Sequence, residues 1–213
     1  MLRIYYDNTK IYFVTICNKL IFIDDMIPKL KDLLNEVQLS KLQIFSPGTG
    51  GTLAKGQSNM KFDASKVPTG RLNVSSVVQY GGQCFNKPTG VFWTSSYKQK
   101  FKGSAWTDFK KKEFPAWHSG MGAVFEIKGS PKILKIKSHN DYMKIQKKFP
   151  LDASKRDCPS GDLYLDWGKL SKKYDGFQLA GSKYSVPLLG QWDVESTVWF
   201  NMSKLEFIGT TKV

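Results

Sequence analysis

Glu195-Ser196-Thr197-Val198-Trp199-Phe200-Asn201-Met202-Ser203-Lys204-Leu205, with Tyr174-Asp175-Gly176-Phe177-Gln178-Leu179 upstream of it, is the stretch that decides the fold. Residues 196–200 are β-branched and aromatic and read as a strand, and residues 177–180 as another. Asp175-Gly176 stops a short helix over 167–174. Residues 205–208 form a further strand after a turn. Glu195 opens the apolar strand, next to Trp192 and behind the small, polar run Gly181-Ser182-Lys183-Tyr184-Ser185. A carboxylate at the mouth of such a strand is held rigidly and partly desolvated, which suits catalysis. The alternative is a strand-end charge facing water.

Upstream, residues 72–80 predict a strand closed by Gly81-Gly82, and residues 90–96 (Gly-Val-Phe-Trp-Thr-Ser-Ser) predict another. Ser104 reads as the N-cap of a helix to 114, with Ala105, Trp106 and Phe109 on one face. Strands over 123–127 and 132–136 flank the Gly129-Ser130-Pro131 turn, and the second, alternating with lysines, is half exposed. A short helix covers 140–149. Strands dominate, so the class is α+β.

The N-terminal residues look separate. Residues 3–6, 11–16 and 20–23 read as short strands. Asp24 and Asp25 then cap a helical pattern of Met26, Ile27, Leu30, Leu33, Leu34 and Val37. We therefore divide the chain into a ββα accessory segment (1–45), a Gly/Ser-rich flexible linker (46–66) and a main domain (67–213). The glycines of the linker lack the G-x-x-x-x-G-K-[ST] order of a phosphate loop.

Charge is unevenly spread over the 213 residues. Lys and Arg total 32 against 18 acids, a net of +14, and all but three of the basic residues are lysine. Residues 98–148 carry 13 Lys against Asp108, Glu113, Glu126 and Asp141, a net of +9, whereas 149–213 are neutral. A basic block of this kind is the electrostatic footprint of a nucleic-acid partner. A lysine-rich solvated surface is the plainer explanation. The scarcity of arginine favours backbone attraction over base readout.

Other chemistry finds little support. Cys17, Cys84 and Cys158 are far apart and odd in number, giving neither a CxxC site nor a disulfide framework and pointing to a reducing cytoplasm. His118 and His139 form no zinc motif. There is no G-x-S-x-G elbow and no G-x-G-x-x-G after a strand. No apolar run is long enough to span a bilayer, and residues 11–23, broken by Asn18 and Lys19, do not read as a signal peptide.

The two segments quoted first resemble the C-terminal half of the ADP-ribosyltransferase superfamily. Its members carry a Tyr-Asp-Gly strand, a substrate loop, and a catalytic glutamate opening a hydrophobic strand that runs into Asn/Asp-Pro-Ser. Met202 stands where that proline is common. Val77-Val78-Gln79-Tyr80-Gly81-Gly82 is similar to the first strand of that fold, with Tyr80 in place of the usual histidine or arginine. Gly90-Val91-Phe92-Trp93-Thr94-Ser95-Ser96 is similar to the second. The likeness covers about residues 72–209 and leaves 1–60 out.

This resemblance implies an α+β fold with a split mixed or antiparallel sheet core and short helices, the N-terminal ββα piece being an extension. It implies NAD as co-substrate, no metal, and Glu195 as the catalytic residue. Tyr80, Gly81 and Gly82 would contact the nicotinamide ribose and amide. Thr94 and Ser95 would bond the ribose or support Glu195. Trp93 or Tyr97 would stack on nicotinamide, with core packing the alternative for each. Gln191 and Asp193 would orient the acceptor on the loop 181–194. Lys98, Lys100, Lys102, Lys110, Lys111 and Lys112 would form a basic surface beside it. The expected protein is a toxin, defence or phage effector acting in a cytoplasm on a nucleic acid or protein, with a neutralising antitoxin as a further partner and no membrane contact. The alternative is an inactive, basic nucleic-acid-binding or virion-associated module on the same fold.

Overall fold

The computed structural model describes residues 3–7, 10–14, 41–45, 65, 67–80, 83–115, 121–152, 163–180 and 186–213. The chain divides into two compact units, Met1–Ser40 and Lys41–Val213. In the first, β1 (Arg3–Asp7) and β2 (Lys10–Val14) pair antiparallel, with Arg3 opposite Val14 and Asp7 opposite Lys10. The third strand and the helix expected between residues 20 and 37 lie outside the described residues.

The second unit contains β3 (Leu42–Phe45), β4 (Ser75–Tyr80), β5 (Gln83–Thr89), β6 (Phe92–Ser96), α1 (Ala105–Glu113), β7 (Met121–Ile127), β8 (Ile133–Ile136), α2 (His139–Gln146), α3 (Trp167–Ser171), β9 (Gly176–Leu179), β10 (Ser196–Trp199) and β11 (Leu205–Lys212). Seven strands form one sheet in the order β11-β7-β3-β6-β10-β9-β8, and β4 and β5 form a separate pair. All pairings in the large sheet are antiparallel except β8 with β9. A parallel pair needs a long crossover, and α2 and α3 lie in this one. The fold is therefore α+β with a mostly antiparallel sheet and few, short helices.

Two expectations are corrected. The accessory segment was expected to run to residue 45, but the compact unit begins at Lys41, and β3 sits inside the sheet between β6 and β7. Its Gln43, Ile44 and Phe45 are buried, which a peripheral segment would not provide. Residues 77–82 were likened to the first strand of the transferase sheet, but β4 pairs with β5 alone, and β6 is flanked by β3 and β10.

Apolar strand residues alternate between two covered faces. Val91, Trp93, Phe177, Leu179 and Val198 pack with Tyr142 and Ile145 of α2 and Trp167 and Leu170 of α3. Phe92 points the other way and meets Phe45 at 6.0 Å and Phe125 at 5.1 Å between ring centroids. Burial on both faces explains why β10 reads as an unbroken buried run. Serine-based capping boxes start α1 at Ser104 and α2 at Ser138, satisfying otherwise orphaned N–H groups.

Asp175 locks the edge of this core. Its Oδ1 accepts from Arg71 Nη2 and Asn201 Nδ2, and its Oδ2 from the Lys132 N–H, each at 2.9 Å. Burial pushes its pKa up, but the Asn201 amide, the Lys132 N–H and the Arg71 charge outweigh this and hold it below the usual carboxylate range. A depressed carboxylate stabilises the fold above its unfolded pKa, and that contribution is lost as pH falls through the lower, folded value. The Arg71 side chain is 43% exposed and its charge is screened by solvent, so the two neutral donors carry most of the effect. Asp175→Asn should cost about 1–3 kcal/mol near neutral pH, because its amide would face the Lys132 N–H. The gap to wild type in urea unfolding should close below about pH 4. A gap that stayed constant down to acid pH would remove Asp175 from this role.

Candidate active site

Glu195 stands immediately before β10, and the register of the sheet fixes what it meets. Thr197 pairs with Thr94 of β6 and with Gln178 of β9. Two residues earlier on β10 and two later on β6, Glu195 falls opposite Ser96. There β6 has left its ladder with β10, which runs through Phe92, Trp93 and Thr94, and pairs with β3 through Ser95 and Ser96. The carboxylate fills the position a ladder partner would take. Its Oε2 accepts from Ser95 Oγ at 2.8 Å and from the Ser96 N–H at 3.0 Å. Its Oε1 accepts from Ser96 Oγ at 3.0 Å and Gln178 Nε2 at 2.9 Å. An ionised carboxylate offers about four lone-pair sites, and each meets a donor here. Ser95 Oγ also lies 3.1 Å from the Glu195 carbonyl oxygen, a second acceptor for the same proton.

The surroundings are polar and partly buried, with Glu195 and Ser96 themselves half-buried. Ser95 and Gln178 are 1% and 3% exposed. Gln178 Oε1 and the buried Thr197 Oγ1 have no hydrogen-bond partner among the described residues. Lys135, which pairs with Gln178 across β8 and β9, brings a positive charge to the same row. Burial lowers its pKa, Lys137 lowers it further, and the Glu195 charge opposes both.

Glu195 is approached by a tightly wound segment. Trp192 ends the 3-10 turn Pro187–Trp192 and lies 4.7 Å from Trp93, edge to face, 5.3 Å from Phe177, and stacked on Trp167 at 5.8 Å. Asp193 follows with φ at +45°, uncommon for a side chain of this kind, and the Val194 N–H bonds back to the Trp192 carbonyl. Lys87 Nζ sits 5.7 Å from the Trp93 ring centroid. Burial lowers its pKa, and the Asp193 charge resists the shift.

Of the residues singled out in the sequence, the structure brings Glu195 and Ser95 together. Thr94 shares the face of Ser96 and Gln178 but lies one pair further along the ladder, opposite Thr197. Its hydroxyl is used there, donating to Gln43 Oε1 and accepting from Trp199 Nε1, both at 2.8 Å. Trp93 and Tyr97 are buried, Trp93 in the aromatic core and Tyr97 against Ile44 and Val124. Tyr80 lies on β4, outside the large sheet. Gly81, Gly82 and the side chain of Gln191 lie outside the described residues, as does His118.

Lys98, Lys100, Lys102, Lys111 and Lys112 are exposed, but Lys110 is not. One helical turn from the buried Thr107, it shares the inner face of α1 and is 0% exposed. Burial drops its pKa to about 8.

Ser96 and Gln178 were missed. A lone glutamine within the apolar strand Gly176–Leu179 was the available signal for Gln178. Among the described residues, no group of three His, Cys, Asp or Glu side chains could hold a metal ion, and no helix is long and apolar enough to cross a membrane. Comparison with family models, with curated proteins and with solved structures finds no match.

Proposed function

We infer that the chain is an NAD-dependent ADP-ribosyltransferase acting on a macromolecular acceptor, with Glu195 as its catalytic residue. One observation carries this reading: the Glu195 carboxylate is pinned at the head of β10 by hydroxyl, amide and main-chain donors from β6 and β9. In the reaction the bond between nicotinamide and the ribose C1′ breaks, its electron pair leaves with nicotinamide, and positive charge develops on the ribose. A fixed negative charge stabilises that state more than the ground state. The acceptor then bonds to C1′ and gives up its proton. Ser95 can turn to the Glu195 carbonyl oxygen, which frees a lone pair on Oε2 for the ribose 2′-hydroxyl.

In this proposal the sheet is that of the transferase superfamily, with β6 as the hydroxyl-bearing strand. The place first given to residues 77–82 passes to β3, which in sequence precedes Ser46-Pro47-Gly48-Thr49-Gly50-Gly51. The setting is that of a toxin, defence or phage effector in a cytoplasm, held in check by a neutralising partner. The exposed lysines after β6 favour a second reading, a basic nucleic-acid-binding module without turnover.

Incubation with NAD labelled in its ADP-ribose part and whole-cell lysate, sorted into protein, DNA and RNA, separates the two. Transfer predicts label in one fraction with release of free nicotinamide. Absence of both, with salt-sensitive nucleic-acid binding, would leave only the module. Gln178→Leu should lower labelling about tenfold, while stability changes by only about 1 kcal/mol because the unpaired Oε1 is removed as well. Wild-type labelling by this variant would show that Gln178 does not position Glu195.

A further inference from the structure

Two residues past Ser96, the chain closes a small loop over residues 98–103. The Lys98 N–H bonds the Gly103 carbonyl at 2.8 Å, the Phe101 N–H bonds the Lys98 carbonyl at 3.0 Å, and the Lys102 N–H bonds the Gln99 carbonyl at 3.2 Å. Lys102 takes a left-handed backbone, with φ at +48°. None of Gln99–Phe101 is buried, and Ser104 caps α1 directly after the loop. The loop is thus tied by its own main chain while its aromatic ring is held out in water. Phe101 is 73% exposed, far beyond the other exposed apolar side chains among the described residues. Lys98, Lys100 and Lys102 flank it along the loop, all exposed and none in an ion pair among the described residues, with Lys100 Nζ 5.7 Å from the ring centroid.

We propose that this loop docks single-stranded nucleic acid, a base stacking on Phe101 while Lys98, Lys100 and Lys102 neutralise adjacent phosphates. A free aromatic face with flanking cations is what such strands recognise, because every base has a π-face and every linkage a charge. Charge complementarity decides the occupant: the loop opens a segment of net +9, and one ring among lysines is not the apolar face by which a helix enters a lipid surface. A duplex keeps its bases stacked and offers Phe101 nothing. Because the loop follows the strand that grips Glu195, it also names the acceptor of the proposed transferase as single-stranded nucleic acid, a clause that rests on that reading.

The test is fluorescence anisotropy of the full chain with labelled DNA and RNA strands of about 12 nucleotides, a matching duplex and anionic vesicles, from about 50 to 200 mM salt. Phe101 is exposed, so its replacement leaves the core untouched. Phe101→Ala should weaken single-strand binding about 5- to 100-fold, and Phe101→Trp should restore it. Replacing Lys98, Lys100 and Lys102 together by Gln should flatten the log–log salt slope by about 2. Unchanged binding in Phe101→Ala, equal affinity for the duplex, or Phe101-dependent binding to vesicles alone would each overturn the proposal. Phe101-dependent binding without NAD turnover would leave the docking site standing and end the transferase reading. Labelling of protein that ignores Phe101 would do the reverse.

Discussion

Glu195→Gln should reduce NAD-dependent labelling and nicotinamide release by at least about 100-fold while leaving the fold intact, the scale on which losing a fixed transition-state charge partner acts. The geometry explains why the fold survives. The substituted side chain would keep one oxygen for Ser95 Oγ and the Ser96 N–H, and its new amide group would point at the former Oε1 position. Gln178 can turn its side-chain amide so that Oε1, which has no partner among the described residues, accepts from it. Ser96 Oγ can accept as readily as donate. Glu195→Ala lacks these exchanges. It strands the Ser96 N–H and Gln178 Nε2 in a part-buried setting, at up to about 1–3 kcal/mol for each. The pair of variants thus separates charge from packing. Full activity in Glu195→Gln would remove the carboxylate from the mechanism, and equal stability of the two variants would contradict the hydrogen-bond account.

Trp167→Ala should have the largest effect on stability, about 3–5 kcal/mol. The side chain is fully buried, edge-on to Phe177 at 5.0 Å and stacked on Trp192 at 5.8 Å. Its loss opens a cavity between α3 and the sheet and removes the support under Trp192, three residues ahead of Glu195, so labelling should fall as well. Trp167→Phe should cost much less than its lost volume suggests. The indole Nε1 of Trp167 is buried with no hydrogen-bond partner among the described residues, and the substitution removes that desolvated donor. Denaturant midpoints report both. A midpoint for Trp167→Ala within error of wild type would show that the aromatic cluster does not hold the unit together.

Elements set by local pattern were legible in the sequence. The apolar run at 196–200 gave β10, the Ser104 cap placed α1, and the short helix read over 140–149 overlaps α2. β3 was hidden because four residues carry too little pattern, and one of them, Gln43, is polar yet buried to meet Thr94. β5 was hidden because Gln83–Thr89 is mostly polar and contains Pro88. At the site, Glu195 stood out as a carboxylate at the head of an apolar strand. Ser96 and Gln178 did not, since only the register of three strands distant in sequence brings them to it. Counting lysines placed Lys110 with its neighbours, although its spacing from Thr107 puts both on the inward face of α1.

The most direct test of the central claim is a crystal structure of the chain with a non-hydrolysable NAD analogue. The expected result is the nicotinamide ribose beside Glu195, its 2′-hydroxyl within hydrogen-bond reach of Oε2 and Ser95 turned toward the Glu195 carbonyl. A dinucleotide bound elsewhere, or a carboxylate still closed by all four of its donors with the analogue at saturating concentration, would contradict it.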